Sequence, residues 1–206
     1  MPPVCKDSGG GHIASLDSTG VKIHGQGEWN RKKHSQKDRR QWVKVHFIID
    51  TKTMQILGVE ATADDVHDSE VFDQLIDALP ENITKVIGDG AYDTLDAYKK
   101  SLEHGIELVA LPRSNAVVDP TSTEPHVLQR NKHVSYYKQR GIYAWAQKNQ
   151  YWDRNRAETT VSRFKTAFSG ALASRKPQSQ KNEIILKCNI LNIFASYDNQ
   201  PLEHSA

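Results

Sequence analysis

Near the C-terminal end of the chain, Tyr151, Arg154, Glu158 and Lys165 stand at the spacing Tyr-x2-Arg-x3-Glu-x6-Lys. On an α-helix, at about 100° per residue, the four side chains fall within a sector of about 60°. A glutamate on such a stripe can ligate a metal ion while the arginine and the lysine neutralise phosphate oxygens. Two further carboxylates join it. Asp17 lies on a predicted first strand, and Asp89 ends a predicted fourth strand. Each alone is a common turn former or cap. With the first and fourth strands side by side and the helix packed across their edge, the three share one cleft. There they repel one another unless cations hold them. Two Mg²⁺ or Mn²⁺ ions about 3.5–4 Å apart are the usual solution, one activating a water or a 3′-hydroxyl and the other stabilising the leaving oxygen. Phosphoryl transfer on a nucleic acid is the chemistry this implies. Asp93 competes with Asp89, but it directly precedes a helix beginning near Thr94 and is placed to cap it. Asp89 is therefore the expected ligand.

Between the first two strands a polar segment carries Arg31, Lys32, Lys33, Lys37, Arg39 and Arg40, with Trp29 and His34 among them. A solvated hairpin loop accounts for such a run. Its place beside the strand of Asp17 gives it a second reading, as a contact for DNA phosphates. Asp64, Asp65, His67, Asp68 and Glu70 resemble a metal cluster, yet a polar strand-to-helix connection with a capping Asp68 or Ser69 needs the same residue types and is the stronger reading. Cys5 and Cys188 make neither a zinc site nor a disulfide framework, and Cys188 sits in an apolar helical pattern as a small core residue.

The elements that must position these groups follow from periodicity. Ile13 to Ile23 reads as a strand, kinked or ended near Gly20. Trp42 to Asp50 alternates as a second, and Met54 to Thr62 forms a third after the turn Asp50-Thr51-Lys52-Thr53. Joined in this way they predict an antiparallel meander. Val71, Phe72, Leu75, Ile76 and Leu79 predict a helix stopped before Pro80. A buried strand over Lys85 to Asp89, a helix from Thr94 to His104 and a fifth strand from Ile106 to Leu111 come next. A loop or insertion is expected over 113–134. Helices are then expected from Ser135 to Lys148, Asp153 to Ala173 and Lys181 to Tyr197. On the signature helix Ala157, Val161, Phe164 and Phe168 form an apolar stripe, giving it a core side and a site side. The last helix has a broad apolar face of Ile184, Ile185, Cys188, Leu191 and Phe194.

A chain of 206 residues holds one well-cored domain, expected over 13–197, with a flexible leader at 1–12 and a tail at 198–206. With 37% hydrophobic and 25% charged residues and a net charge of +2, any case for nucleic acid rests on where the charges sit. No apolar run reaches the roughly 18 residues of a membrane helix, and the start lacks a signal peptide's apolar core. A cytoplasmic protein is expected.

In these residues the chain resembles the catalytic part of insertion-sequence transposases of the DDE class, in the subgroup marked by a Tyr-Arg-Glu-Lys signature. The matching pieces are Leu16-Asp17-Ser18-Thr19, the basic loop and strand from Gly25 to Asp50, His67-Asp68-Ser69, Gly88-Asp89-Gly90-Ala91-Tyr92-Asp93, and Tyr151 with Arg154, Glu158 and Lys165. The resemblance implies an α/β, ribonuclease H-like mixed sheet with C-terminal helices, and Asp17, Asp89 and Glu158 as the catalytic, metal-binding triad. It further implies that Tyr151, Arg154 and Lys165 meet the DNA end, and that the protein cuts transposon ends and joins them to target DNA, as a homodimer on double-stranded DNA in a bacterial, nucleoid-associated setting. Family members carry a helical region before the first catalytic aspartate, whereas Asp17 stands almost at the start here, so a separately encoded N-terminal part is a further expected partner. Two alternatives are a catalytically idle fragment that inhibits a full-length transposase and a structure-selective ribonuclease H-like nuclease.

Overall fold

A computed structural model describes residues 11–23 and 42–198. Strands β1 (His12–Ile23), β2 (Trp42–Asp50) and β3 (Ile56–Ala63) precede a 3₁₀ turn at Asp68–Val71 and helix α1 (Phe72–Asp77). Strand β4 (Ile83–Gly88), a 3₁₀ turn at Gly90–Tyr92, helix α2 (Leu95–Glu103) and strand β5 (Glu107–Ala110) complete the alternating part. Helix α3 (Pro125–Lys148), a 3₁₀ turn at Tyr151–Arg154, helix α4 (Asn155–Phe168), strand β6 (Ala171–Leu172) and helix α5 (Pro177–Asp198) follow.

The sheet runs β3-β2-β1-β4-β5, with β6 joined to the far end of β1. The first three strands are antiparallel, whereas β4 and β5 run parallel to β1. This is the ribonuclease H-like mixed sheet expected from the sequence, and it puts the first and fourth strands side by side. Period-two alternation sends Ala14, Leu16 and Val86 to one face, under Phe72, Leu75 and Ile76 of α1 and Tyr98 of α2. The other face carries two cores. Val21, Val45 and Phe47 pack against Ala157, Val161 and Phe164 of α4 and Ile184, Cys188 and Leu191 of α5. Ile87 and Val109 pack against Trp145 of α3 and Tyr151. Helices on both faces of a central sheet leave β1 buried on each side.

Several boundaries differ from the periodic reading, each for a local reason. Strand β3 begins at Ile56 because Met54 has a φ of 60°, which takes it out of the ladder. The Asp50 carboxylate shapes that turn by accepting from the backbone N–H groups of Lys52 (2.7 Å) and Thr53 (3.2 Å). Before α1, neither Asp68 nor Ser69 is the cap. His67 holds that position, with its backbone N–H bonded to the Glu70 carboxylate at 2.9 Å. Thr94, not Asp93, caps α2 by accepting from the N–H of Ala97. Gly105, at φ 67°, ends the connection after α2.

The largest difference lies at 113–134. Helix α3 starts at Pro125 and takes up the second half of the expected loop. Its inward positions there include the buried polar residues Asn131 and His133, so no apolar stripe announces it. The asparagine is bonded instead to the backbone of Asp119. Gly141, at φ 77° and ψ 174°, breaks the helix in two. The helix expected from Asp153 to Ala173 is shorter at both ends. It opens as a 3₁₀ turn and stops at Ser169 and Gly170, both in left-handed backbone. Ala171 and Leu172 then pair with Lys22 and Ile23 of β1.

Candidate active site

Asp17 lies in the middle of the central strand, opposite Phe47 of β2. Asp89 follows the last residue of β4, the parallel neighbour of β1. Glu158 lies in the first turn of α4, next to Ala157, which is fully buried against the sheet. The helix is held there by Phe164, whose ring meets Phe47 edge-on at 5.3 Å. Packing of α4 across β1 and β2 therefore brings Glu158 to the side of the sheet that carries Asp17.

Arg154 joins them. Its guanidinium is ion-paired with the Glu158 carboxylate and stands 3.9 Å from that of Asp17. The Asp17 carboxyl is held above its ordinary pKa, chiefly by burial. A backbone hydrogen bond at Ser18 and the Arg154 charge oppose this, and the charges of Glu158 and Asp89 add to it. Asp17 thus feels both other carboxylates through space, with the Arg154 guanidinium as counter-charge. The Tyr151 hydroxyl is also pushed up, first by burial, against the pull of Arg154 and with the push of Asp89 and Glu158. It remains a protonated donor at neutral pH. Tyr92, buried below, is raised well above its usual value by burial and then by Asp68, Asp89 and Asp17.

The signature residues are not on one helix as expected. Tyr151 and Arg154 belong to the 3₁₀ turn, and only Glu158 and Lys165 are on α4. The site still forms because the turn tucks Tyr151 against Trp145, with ring centroids 4.9 Å apart. Lys165 is exposed on the Glu158 stripe, about 10 Å further along the axis, and the structure does not bring it into contact with the carboxylates. Arg31, Lys32, Lys33, Lys37, Arg39 and Arg40 lie outside the described residues, as do Trp29, His34 and Cys5.

Sequence reasoning missed two groups around the cleft. The Asp68 carboxylate, read above as a candidate cap, turns back onto β2, 3.0 Å from Lys44 Nζ and 2.9 Å from His46 Nδ1. Burial alone would raise its pKa, but hydrogen bonds from His46, Lys44 and Ser18 outweigh that and bring it down to about 2. The usable signal was Lys44 and His46 at i, i+2 on one strand face, with Ser18 directly after Asp17. Asp93 is the second. Instead of capping, it is buried, accepting from Arg130 (2.7 and 3.0 Å) and from the backbone N–H of Arg113 (3.0 Å).

Oxygen donors of this kind suit hard divalent cations. Among the described residues no three His, Cys, Asp or Glu side chains are gathered tightly enough to enclose an ion. The donor chemistry fits Mg²⁺ or Mn²⁺, and Glu158, with its side chain about half exposed (49%), has room to turn away from Arg154.

A cryo-EM structure of a piggyBac transposase synaptic complex with hairpin DNA is similar over 92% of this chain, with 11% identity and a TM-score of 0.46. The chain spans 48% of that protein's length. The family model described as "Transposase DDE domain" matches residues 8–193. By this match, which takes in both the sheet and the helices packed on it, the chain belongs to the DDE transposase family.

Proposed function

We propose that this chain is the catalytic domain of a transposase of the Tyr-Arg-Glu-Lys subgroup, cleaving double-stranded DNA at transposon ends and joining the freed 3′-hydroxyl to a target phosphodiester. Family membership supports transposase function as a class, that of enzymes which break and rejoin phosphodiesters. The observation that carries the finer reading is the meeting of Asp17 and Glu158 at one guanidinium, that of Arg154, with Asp89 at the end of the adjacent strand.

Asp17, Asp89 and Glu158 would hold the divalent ions, probed as Mg²⁺ or Mn²⁺. Such ions, when bound, supply activation of the attacking oxygen and stabilisation of the leaving one. The chain's own groups do the rest. The Tyr151 hydroxyl, protonated at neutral pH, would donate to a phosphate oxygen. Arg154 stands between Asp17 and Glu158; with a cation on those carboxylates its guanidinium would be free to pair with a phosphate oxygen, and Lys165 lies further along the same stripe, where the flanking backbone would run. Two transposon ends call for two copies of the chain, so a homodimer on DNA is part of the proposal.

The test incubates purified protein with Mg²⁺ and a duplex carrying the element's own ends. Metal-dependent nicking that disappears in Asp89→Ala while DNA binding persists supports the transposase. Binding without nicking by the unaltered protein points to the inhibitory fragment. Cutting of branched DNA regardless of end sequence, with no strand transfer, points to a structure-selective nuclease.

A further inference from the structure

The Asp89 carboxylate is not set by β4 alone. Its Oδ1 accepts from the N–H of Ala91 at 2.8 Å, and among the described residues no group bonds its other oxygen. The orientation of that oxygen therefore depends on the short turn Gly90–Tyr92. The turn in turn is gripped from outside. Arg113, just beyond β5, donates from Nε to the carbonyl of Gly90 at 2.8 Å and from Nη2 to that of Ala91 at 3.1 Å. A planar fork on two successive carbonyls fixes both peptide planes, and the N–H that holds Asp89 belongs to Ala91, between them. Close approach is built in here. A Cβ on Gly90 would stand 3.3 Å from the carbonyl oxygen of Leu111, so glycine lets the turn lie against the chain that carries Arg113.

We propose that Arg113 is a positioning residue for Asp89, acting through the Gly90 and Ala91 carbonyls; the inference rests on the reading of Asp89 as a metal ligand. Its effect is separable from fold stability. The Arg113 side chain is exposed, so its removal returns two carbonyls to water at little cost. The backbone N–H of Arg113 keeps its bond to Asp93, which stays paired with Arg130 whatever side chain stands at 113.

The experiment uses the full chain with Arg113→Ala, Arg113→Lys and, as a control, Asp89→Asn. It reads amide exchange of Ala91 by NMR, Mn²⁺ affinity by water-proton relaxation, thermal midpoint and DNA affinity against salt. In Arg113→Ala, Ala91 exchange should speed up about tenfold, the loss of roughly one hydrogen bond. Mn²⁺ affinity should fall about tenfold, as for other groups that orient a ligand. The thermal midpoint and the salt dependence should hold, and Arg113→Lys should recover part of both losses. Unchanged Ala91 exchange overturns the proposal. So does unchanged Mn²⁺ affinity with a salt slope lower by about one, which would make Arg113 a phosphate contact instead. If Asp89→Asn leaves Mn²⁺ binding intact, the metal-ligand reading fails, while Ala91 exchange still decides whether Arg113 positions the turn.

Discussion

Asp17 and Asp68 sit on elements that touch, yet their carboxyl groups are shifted in opposite directions. Asp17 is raised because burial outweighs the Ser18 N–H and a guanidinium at 3.9 Å, with Glu158 and Asp89 adding repulsion. Asp68 is lowered because three hydrogen-bonding partners outweigh its burial. Removing Arg154 as Arg154→Gln takes away the counter-charge, so the Asp17 carboxyl should titrate at still higher pH. Carbon-13 NMR of the carboxyl measures this, and an unshifted or lowered value would refute the counter-charge role. For Asp68 the folded pKa lies below the unfolded one, so its stabilisation is complete above about pH 4 and is lost as pH falls towards about 2. The stabilisation involved is on the order of 2 kcal/mol. Urea midpoints measured at pH 5 and pH 2.5 should therefore fall more in the unaltered protein than in Asp68→Asn. Equal falls would show that Asp68 is not the acid-sensitive group. The Asp68 shift was not legible in the sequence, since it depends on Lys44 and His46, 24 and 22 positions away on β2.

Two polar devices tie the helices to the sheet where apolar packing ends. Asn192 of α5 is buried and pairs with both backbone groups of Ile56, accepting at 2.7 Å and donating at 2.8 Å, just where edge strand β3 begins. Replacement by alanine leaves a buried N–H and a buried C=O unpaired, and Asn192→Ala should lose about 2 to 4 kcal/mol. Chemical denaturation checks this, and a loss below about 0.5 kcal/mol would show that water replaces the amide. Glu183 acts likewise, accepting from the backbone of Ala173 and Ser174 and pairing with Lys187, so that the chain after β6 is fastened to α5. Element types followed from periodicity wherever apolar residues repeated, as in β2 and the Ala157, Val161, Phe164 stripe. They were missed where inward positions were polar, as at Asn131, or where a turn was tightened, as at Tyr151.

At the scale of the molecule, the sheet order brings Asp17 and Asp89 onto adjacent strands, and α4 lies across the face that exposes them. No helix among the described residues is long and apolar enough to cross a membrane. If the basic segment contacts DNA phosphates as the sequence suggests, replacing Arg31, Lys32 and Lys33 together should weaken binding and lower the salt slope by about three. Filter binding across a salt series measures it, and an unchanged slope would remove that segment from the interface. The apolar face of α4 and the meander were determined by the sequence alone, because each is carried by residue type at a short, regular spacing. That Arg154 mediates between Asp17 and Glu158, that Asp68 answers to β2, and that Arg113 and Arg130 brace the turns after Asp89 was decided only by tertiary structure. Those pairings join side chains up to 137 residues apart, and local periodicity carries no information about which distant charges folding will bring within a few ångströms.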